Sequence, residues 1–132
     1  MIDRIEELMK TKVDFALETT LTTLSYINTI KRAQEKGYKV SLIYFWLRNV
    51  NLAIQRVETR VSEGGHAIPE EVIKRRYIKG IKNLTQKFVP ICDYWLVVDN
   101  SIRPYNFVAE GERNSALKVH DLETWEIIKT LE

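Results

Sequence analysis

Glu18-Thr-Thr20 closes the apolar stretch Val13-Asp-Phe-Ala-Leu17, where a strand would end. In open α/β sheets ligands bind beyond the carboxyl ends of the strands. A carboxylate at such a place could bind a substrate hydroxyl or hold Mg²⁺ through water. The residues alone leave a plainer role open: a strand end meeting solvent, with Thr19 or Thr20 capping the next helix. Arg56 and Arg60 are four apart and share a helix face, which Glu63 continues toward Gly64-Gly65. Guanidinium groups match phosphate oxygens with paired hydrogen bonds, so this pair could clamp a triphosphate; a solvated face with a weak Arg–Glu pair is the other option. The segment 69–88 carries Lys74, Arg75, Arg76, Lys79, Lys82 and Lys87 against Glu70 and Glu71. Its polar stripe, Arg75, Lys79 and Lys82, lies opposite Ile73 and Tyr77. It suits nucleotide phosphates, a nucleic-acid backbone less specifically, or plain solvent. His66 has no second histidine or cysteine near it in sequence, so it suits a hydrogen bond to phosphate or a loop-fixing role better than a metal. Nothing cationic beside Cys92 in sequence would activate its thiol, which reads as a small core residue.

The elements that would position these groups alternate. A helix over 3–12 has Ile5, Leu8 and Met9 on one side. A strand over 13–17 and a helix over 21–36 follow, with Gly37 at the C′ position. Val40 to Leu47 is a nearly continuous apolar run that predicts a strand buried on both faces. Asn49 caps the next helix, whose stripe is Val50, Ala53, Ile54, Val57 and Val61, and Gly64-Gly65 ends it. Pro69 opens another helix, with Glu70 and Glu71 in the first turn, and Pro90 stops it. Asp93 to Val98 is the third strand, a short hairpin follows around Glu110-Gly-Glu-Arg113, and a helix runs from about Leu122. Strands alternating with helices predict a parallel, helix-covered sheet.

Composition narrows the class. The chain has 132 residues, 45% hydrophobic and 29% charged, which fits one globular domain. A net charge of +2 is too small to argue for nucleic acid as a partner. One cysteine and two histidines cannot build a Cys/His zinc site or an internal disulfide, and the lone thiol fits a cytoplasmic location. Met1 to Lys12 mixes acids and bases and does not read as a signal peptide. No apolar run approaches the roughly 20 residues of a membrane span.

Several segments recur together in order and spacing: Asp14-Phe-Ala-Leu-Glu-Thr-Thr20, Ala33-Gln-Glu-Lys-Gly-Tyr-Lys-Val40, Ala53-Ile-Gln-Arg-Val57, Gly64-Gly-His-Ala-Ile-Pro69, Val72-Ile-Lys-Arg-Arg-Tyr77 and Pro90-Ile-Cys-Asp-Tyr-Trp95. In this the chain resembles the bacterial zeta-toxin family, in the branch described as ABC-type ATPases, over residues 4–111. The resemblance implies an α/β fold: an incomplete P-loop-kinase-like, mainly parallel sheet with flanking helices. It implies ATP and Mg²⁺ as cofactors, a nucleotide sugar such as UDP-N-acetylglucosamine as acceptor, and an antitoxin as partner. Glu18 and Thr20 would lie on the substrate side. Arg56, Arg60, Arg75 and Arg76 would approach the nucleotide phosphates, and His66 would shape the lid loop. No residue is assigned as catalytic or as a metal ligand.

The chain also departs from that family. Its five glycines begin at Gly37, so no G-x-x-x-x-G-K-[ST] loop is encoded. In the family that loop, the first strand and the acidic general base precede the Glu-Thr motif, and Leu24 stands near where an arginine often follows it. One zeta-toxin-like domain, N-terminally truncated and inactive alone, is therefore expected. Strands without their central neighbour must re-pair or expose an edge, so a rearranged sheet, a homo-oligomer or a sheet-completing partner chain is expected too. A non-catalytic assembly or regulatory remnant is the alternative function. A nucleic-acid-binding module ranks last.

Overall fold

Side-chain register across the strands divides the molecule into a packed and an open face. A computed structural model describes residues 2–113 and 115–130. The elements are α1 (Ile2–Thr11), α2 (Ser25–Glu35), β1 (Ser41–Trp46), α3 (Val50–Ser62), α4 (Glu70–Asn83), β2 (Tyr94–Asp99), β3 (Asn106–Glu112), β4 (Lys118–Val119) and α5 (Leu122–Thr130). A π-helical turn, Leu84–Phe88, extends α4.

The sheet order is β1-β2-β3-β4. β1 runs parallel to β2, whereas β2·β3 and β3·β4 are antiparallel. The α/β class holds, but the sheet is mixed rather than mainly parallel. Its parallel pair is joined through α3 and α4, and the later strands return by short connections that can only build antiparallel neighbours. β1 sits directly beside β2, and it ends the order without a strand on its other side among the described residues.

Residues opposite one another across a sheet share a face. Leu42, Trp95 and Gly111 form one row, and Tyr44, Val97 and Ala109 the next. This face carries the main core, with Ile81, Leu84 and Phe88 packed on it and Trp125 and Ile128 from α5. The Trp95 and Trp125 rings stack at 5.4 Å. Gly111 permits this, because a Cβ there would lie 2.8 Å from Trp95 Nε1. Pairing skips Val108 where the register shifts, and that extra residue turns inward, fully buried. The opposite rows are Ser41–Tyr94–Glu112, Ile43–Leu96–Glu110 and Phe45–Val98–Phe107. Here Ile43, Phe45 and Phe107 are each more than half exposed. β1 is therefore an edge strand with one open face, not a strand buried on both faces: its unbroken apolar run serves the core only at Leu42, Tyr44 and Trp46.

Val13 to Leu17 forms no strand. Phe15 and Leu17 instead pack into a second cluster with Ile5, Met9, Ala33 and Tyr38, and the Tyr38 hydroxyl donates to Val13 O at 2.8 Å. Their alternation is satisfied by helices α1 and α2 rather than by a ladder. Gly37 ends α2 as the sequence predicts: at φ +91° it donates to Gln34 O, while Tyr38 N donates to Ala33 O.

Candidate functional site

The segment after Leu17 makes a tight turn that is locked onto α4. Leu21 adopts φ +59°, a left-handed conformation that costs a non-glycine residue roughly 1–2 kcal/mol. Several contacts hold it there. Its side chain is buried in the main core, and its N–H donates to Thr19 Oγ1 at 3.2 Å. Its carbonyl accepts from the buried Asn83 amide at 2.6 Å. Thr20 O lies so close to Gly80 that an added Cβ would sit 2.8 Å from it. Strain that the surroundings over-determine is common at functional sites. It also explains why α2 begins at Ser25 rather than Leu21: the chain must leave this turn first. Glu18 and Thr20 present exposed side chains from it, and the Thr20 and Thr22 hydroxyls share a hydrogen bond at 3.0 Å.

Helix α4 is the floor of this turn. At 3.6 residues per turn, Arg76 lies within roughly 40° of Gly80 around the helix, and Asn83 within roughly 60°. Arg76 thus extends the helix line that meets Thr20, one turn earlier, whereas Arg75 is rotated roughly 140° away. Both are exposed. Beneath them, the Tyr77 hydroxyl donates to Leu47 O at 2.6 Å. Burial raises the Tyr77 phenol, and burial followed by the neighbouring Tyr77 raises that of Tyr44 further. Both stay neutral and serve as packing and hydrogen-bonding groups.

The α3 residues are arranged differently. Asn49 Oδ1 caps the helix by accepting from Leu52 N at 3.0 Å. Arg56 Nη2 donates to Asn100 O in the loop after β2 at 3.0 Å, so one of its arms is already engaged. Arg60 and His66 are exposed. The Gly64-Gly65 pair forms a helix stop. Gly64, at φ +101°, donates to Val61 O at 3.1 Å, and Gly65 donates to Arg60 O at 2.7 Å. Both N–H groups are therefore consumed, and neither can contribute to the nest of free amides that cradles a phosphate. Gly37 N is used in the same way. Gly37, Gly64 and Gly65 therefore form no phosphate loop, and the described residues contain no cluster of acidic, histidine or cysteine side chains that could hold a metal ion.

The carboxyl ends of the parallel strands hold a group that sequence reasoning missed. Asp99 is 4% exposed at the end of β2, opposite Trp46 on β1. Its Oδ1 accepts from Ser101 N at 2.9 Å, and Ser101 Oγ accepts from Arg48 N at 2.8 Å. The indole N–H of Trp46 is buried without a partner among the described residues. Asp99-Asn-Ser reads in sequence as an ordinary turn. The available signal was an acid closing an apolar strand run, and only the parallel β1·β2 pairing gives that position meaning.

The sequence profile of the zeta toxin family matches residues 3–102. The chain belongs to the zeta toxin family. As a member it is a P-loop-kinase-like domain of a nucleotide-dependent family. An uncharacterized protein of Haemophilus influenzae is 38% identical over 69 residues, which is 52% of this chain and 49% of that one. The chain thus spans about half the length of the curated relative it matches. No solved structure matches. The zeta toxin match takes in the Glu18–Leu21 turn, α3, α4 and the Asp99 loop. β3, β4 and α5 lie beyond it. No described helix is long and apolar enough to cross a membrane.

Proposed function

We propose that this chain is the substrate-side portion of a zeta-toxin-type kinase and transfers no phosphate by itself. The observation that carries this is the Glu18–Leu21 turn, strained and clamped onto α4 by Asn83 and Gly80. That turn keeps Glu18 and Thr20 in a fixed geometry suited to a polar acceptor such as a nucleotide sugar. Arg76 stands on the helix line that borders it, with Arg60, Arg75 and His66 as exposed groups available to a nucleotide. Phosphoryl transfer depends on positioning and on neutralising the phosphates. The N–H groups of Gly37, Gly64 and Gly65 are spent at helix ends and offer no substitute for a phosphate loop. ATP and Mg²⁺ would therefore need a phosphate loop from outside these 132 residues, in the cytoplasm, where an antitoxin would also meet the protein.

Calorimetric titration tests this with two ligands. UDP-N-acetylglucosamine is expected to release heat that Glu18→Gln abolishes. A non-hydrolysable ATP analogue with Mg²⁺ is expected to release none up to about millimolar concentration, weaker than about −4 kcal/mol. Micromolar ATP-analogue binding that disappears in Arg60→Ala would refute the claim of inactivity alone. Absence of nucleotide-sugar binding would refute the substrate assignment. The second reading, a non-catalytic assembly remnant, is supported by the open β1 edge. Ser41-Leu-Ile-Tyr-Phe-Trp46 carries no charge, proline or glycine to discourage pairing. A partner chain would pair there, and its capture without nucleotide dependence would favour this reading.

A further inference from the structure

At the carboxyl ends of β1 and β2, hydrogen bonds from three directions converge on the loop Asp99-Asn-Ser101. Asn100 N donates to Trp46 O at 2.8 Å. Ser101 N donates to Asp99 Oδ1, and Arg48 N donates to Ser101 Oγ. The loop is thereby fixed to the end of β1 and to the start of α3. Two guanidinium groups are tied to it through one neutral residue. Arg56 Nη2, from α3, donates to Asn100 O at 3.0 Å, and Arg103 Nη1 donates to Asn100 Oδ1 at 3.0 Å. The Arg103 guanidinium also lies 4.2 Å over the Tyr105 ring, which orients its plane. Elsewhere Arg4, Arg32 and Arg113 each pair with a carboxylate. Arg56 and Arg103 form no ion pair among the described residues, and both are exposed. Asp99, the acid of the loop, is 4% exposed, in the core-facing row with Trp46. Arg48, Arg56 and Arg103 thus meet at a loop whose one carboxylate is buried.

We propose that Asn100 tethers Arg56 and Arg103 into a binding site for a phosphate dianion, either free phosphate or the terminal phosphate of a nucleotide. Each guanidinium has given one N–H to Asn100 and keeps most of its donors. Those donors form a planar fork that matches phosphate oxygens in pairs. Two like charges held beside a neutral tether repel, and an anion between them reverses the sign of that interaction. Charge selects the ligand. A phosphate monoester carries nearly two negative charges and three acceptor oxygens, enough for both forks. A carboxylate or a nucleic-acid phosphodiester brings one charge and matches only one of them. Both arginines are already held in place, so less side-chain freedom is lost on binding. The place is also apt, because open α/β sheets bind ligands beyond the carboxyl ends of their parallel strands. The site goes beyond the kinase reading: Arg103 lies outside the zeta toxin match, and neither arginine belongs to the Glu18–Leu21 turn.

Calorimetric titration of the chain with inorganic phosphate, at low ionic strength and pH 7.5, tests it. Inorganic phosphate carries no sugar, so this result and the nucleotide-sugar result above fail separately. The expected outcome is saturable binding of one phosphate at sub-millimolar concentration. Arg56→Gln and Arg103→Gln should each weaken it at least about tenfold, the worth of a hydrogen bond to a charged group. The double variant should lose less than the product of the two losses, because both arginines hold one ligand. Asn100→Asp supplies the missing acid in the same shape, and should abolish binding without lowering the melting temperature. Uridine 5′-monophosphate distinguishes the sources: equal affinity assigns free phosphate, and tighter binding that both arginine variants weaken assigns a nucleotide. A wild-type chain that releases no heat with either ligand overturns the proposal. So does binding that survives Asn100→Asp, or single losses that multiply fully, the mark of general surface charge. A single-stranded oligonucleotide without a terminal phosphate that binds more tightly than phosphate would also overturn it, since only diesters are then needed.

Discussion

Gly80→Ala sets two effects of opposite sign against each other. Alanine in a helix interior is favoured over glycine by about 1 kcal/mol, and Gly80 lies inside α4 with ordinary helical backbone. Propensity alone predicts stabilisation. The new methyl, however, would sit 2.8 Å from Thr20 O and 3.3 Å from the Tyr44 hydroxyl. The first is backbone in a turn already strained at Leu21 and fixed by Asn83, so it cannot yield as a side-chain tip would. Overpacking of this kind costs about 1–3 kcal/mol. The balance is a net loss centred on about 1 kcal/mol, which for a domain of this size lowers Tm by roughly 3–6 °C. Urea titration followed by far-ultraviolet circular dichroism should show a lower midpoint with an unchanged slope, the mark of altered stability rather than an altered unfolded state. The same variant should weaken nucleotide-sugar binding, because Thr20 is pushed outward. A rise in Tm of about 3 °C or more would show that helix propensity wins, and the close seating of the Glu18–Leu21 turn on α4 would be refuted.

Three further outcomes are expected. Gly111→Ala should cost about 1–3 kcal/mol and diminish the near-ultraviolet circular dichroism of the Trp95–Trp125 stack, since its Cβ would lie 2.8 Å from Trp95 Nε1; an unchanged spectrum would contradict the contact. The Asp93 carboxylate is held below the usual range by the Val40 N–H, then by Gln34, Arg113 and Lys39, against an opposing effect of burial. A depressed carboxylate contributes stability above its unfolded value and loses it as pH falls through the folded one. Asp93→Asn should therefore lower Tm at pH 7 and converge with the parent as pH falls through the lowered folded value; a gap that persists in acid, once the carboxylate is protonated in both states, would show that the loss is not electrostatic. Burial and then Asp93 push the Cys92 thiol up to about 11, so the folded protein should resist a thiol-specific reagent at pH 8 and react once unfolded; rapid labelling of the native chain would place Cys92 outside the core.

Much of the local structure was legible in the residues. Asn49 caps α3, Gly37 and Gly64 end α2 and α3, and Pro69 opens α4, because each of these choices is made within one turn of backbone. The order of segments from Asp14 to Trp95 was enough to name the zeta toxin family. The same local chemistry misleads where partners are distant. Phe15 and Leu17 alternate as in a strand, yet no strand runs beside them, and α1 and α2 take up their side chains. Ser41 to Trp46 is apolar throughout, and only its register with β2 shows that half of it is open. Gly64-Gly65 reads equally as a mobile loop or a helix stop until its N–H groups are seen to be spent. By itself, then, the sequence determined the caps of α3 and the ends of α2 and α3, together with the family, all matters of neighbours along the chain. Tertiary structure alone decided that Leu21 is strained, that Gly80 and Asn83 hold the Glu18–Leu21 turn, that Asp99 is buried beside Trp46, and that one face of the sheet is open. Those depend on contacts between residues dozens of positions apart, which periodicity and spacing do not encode.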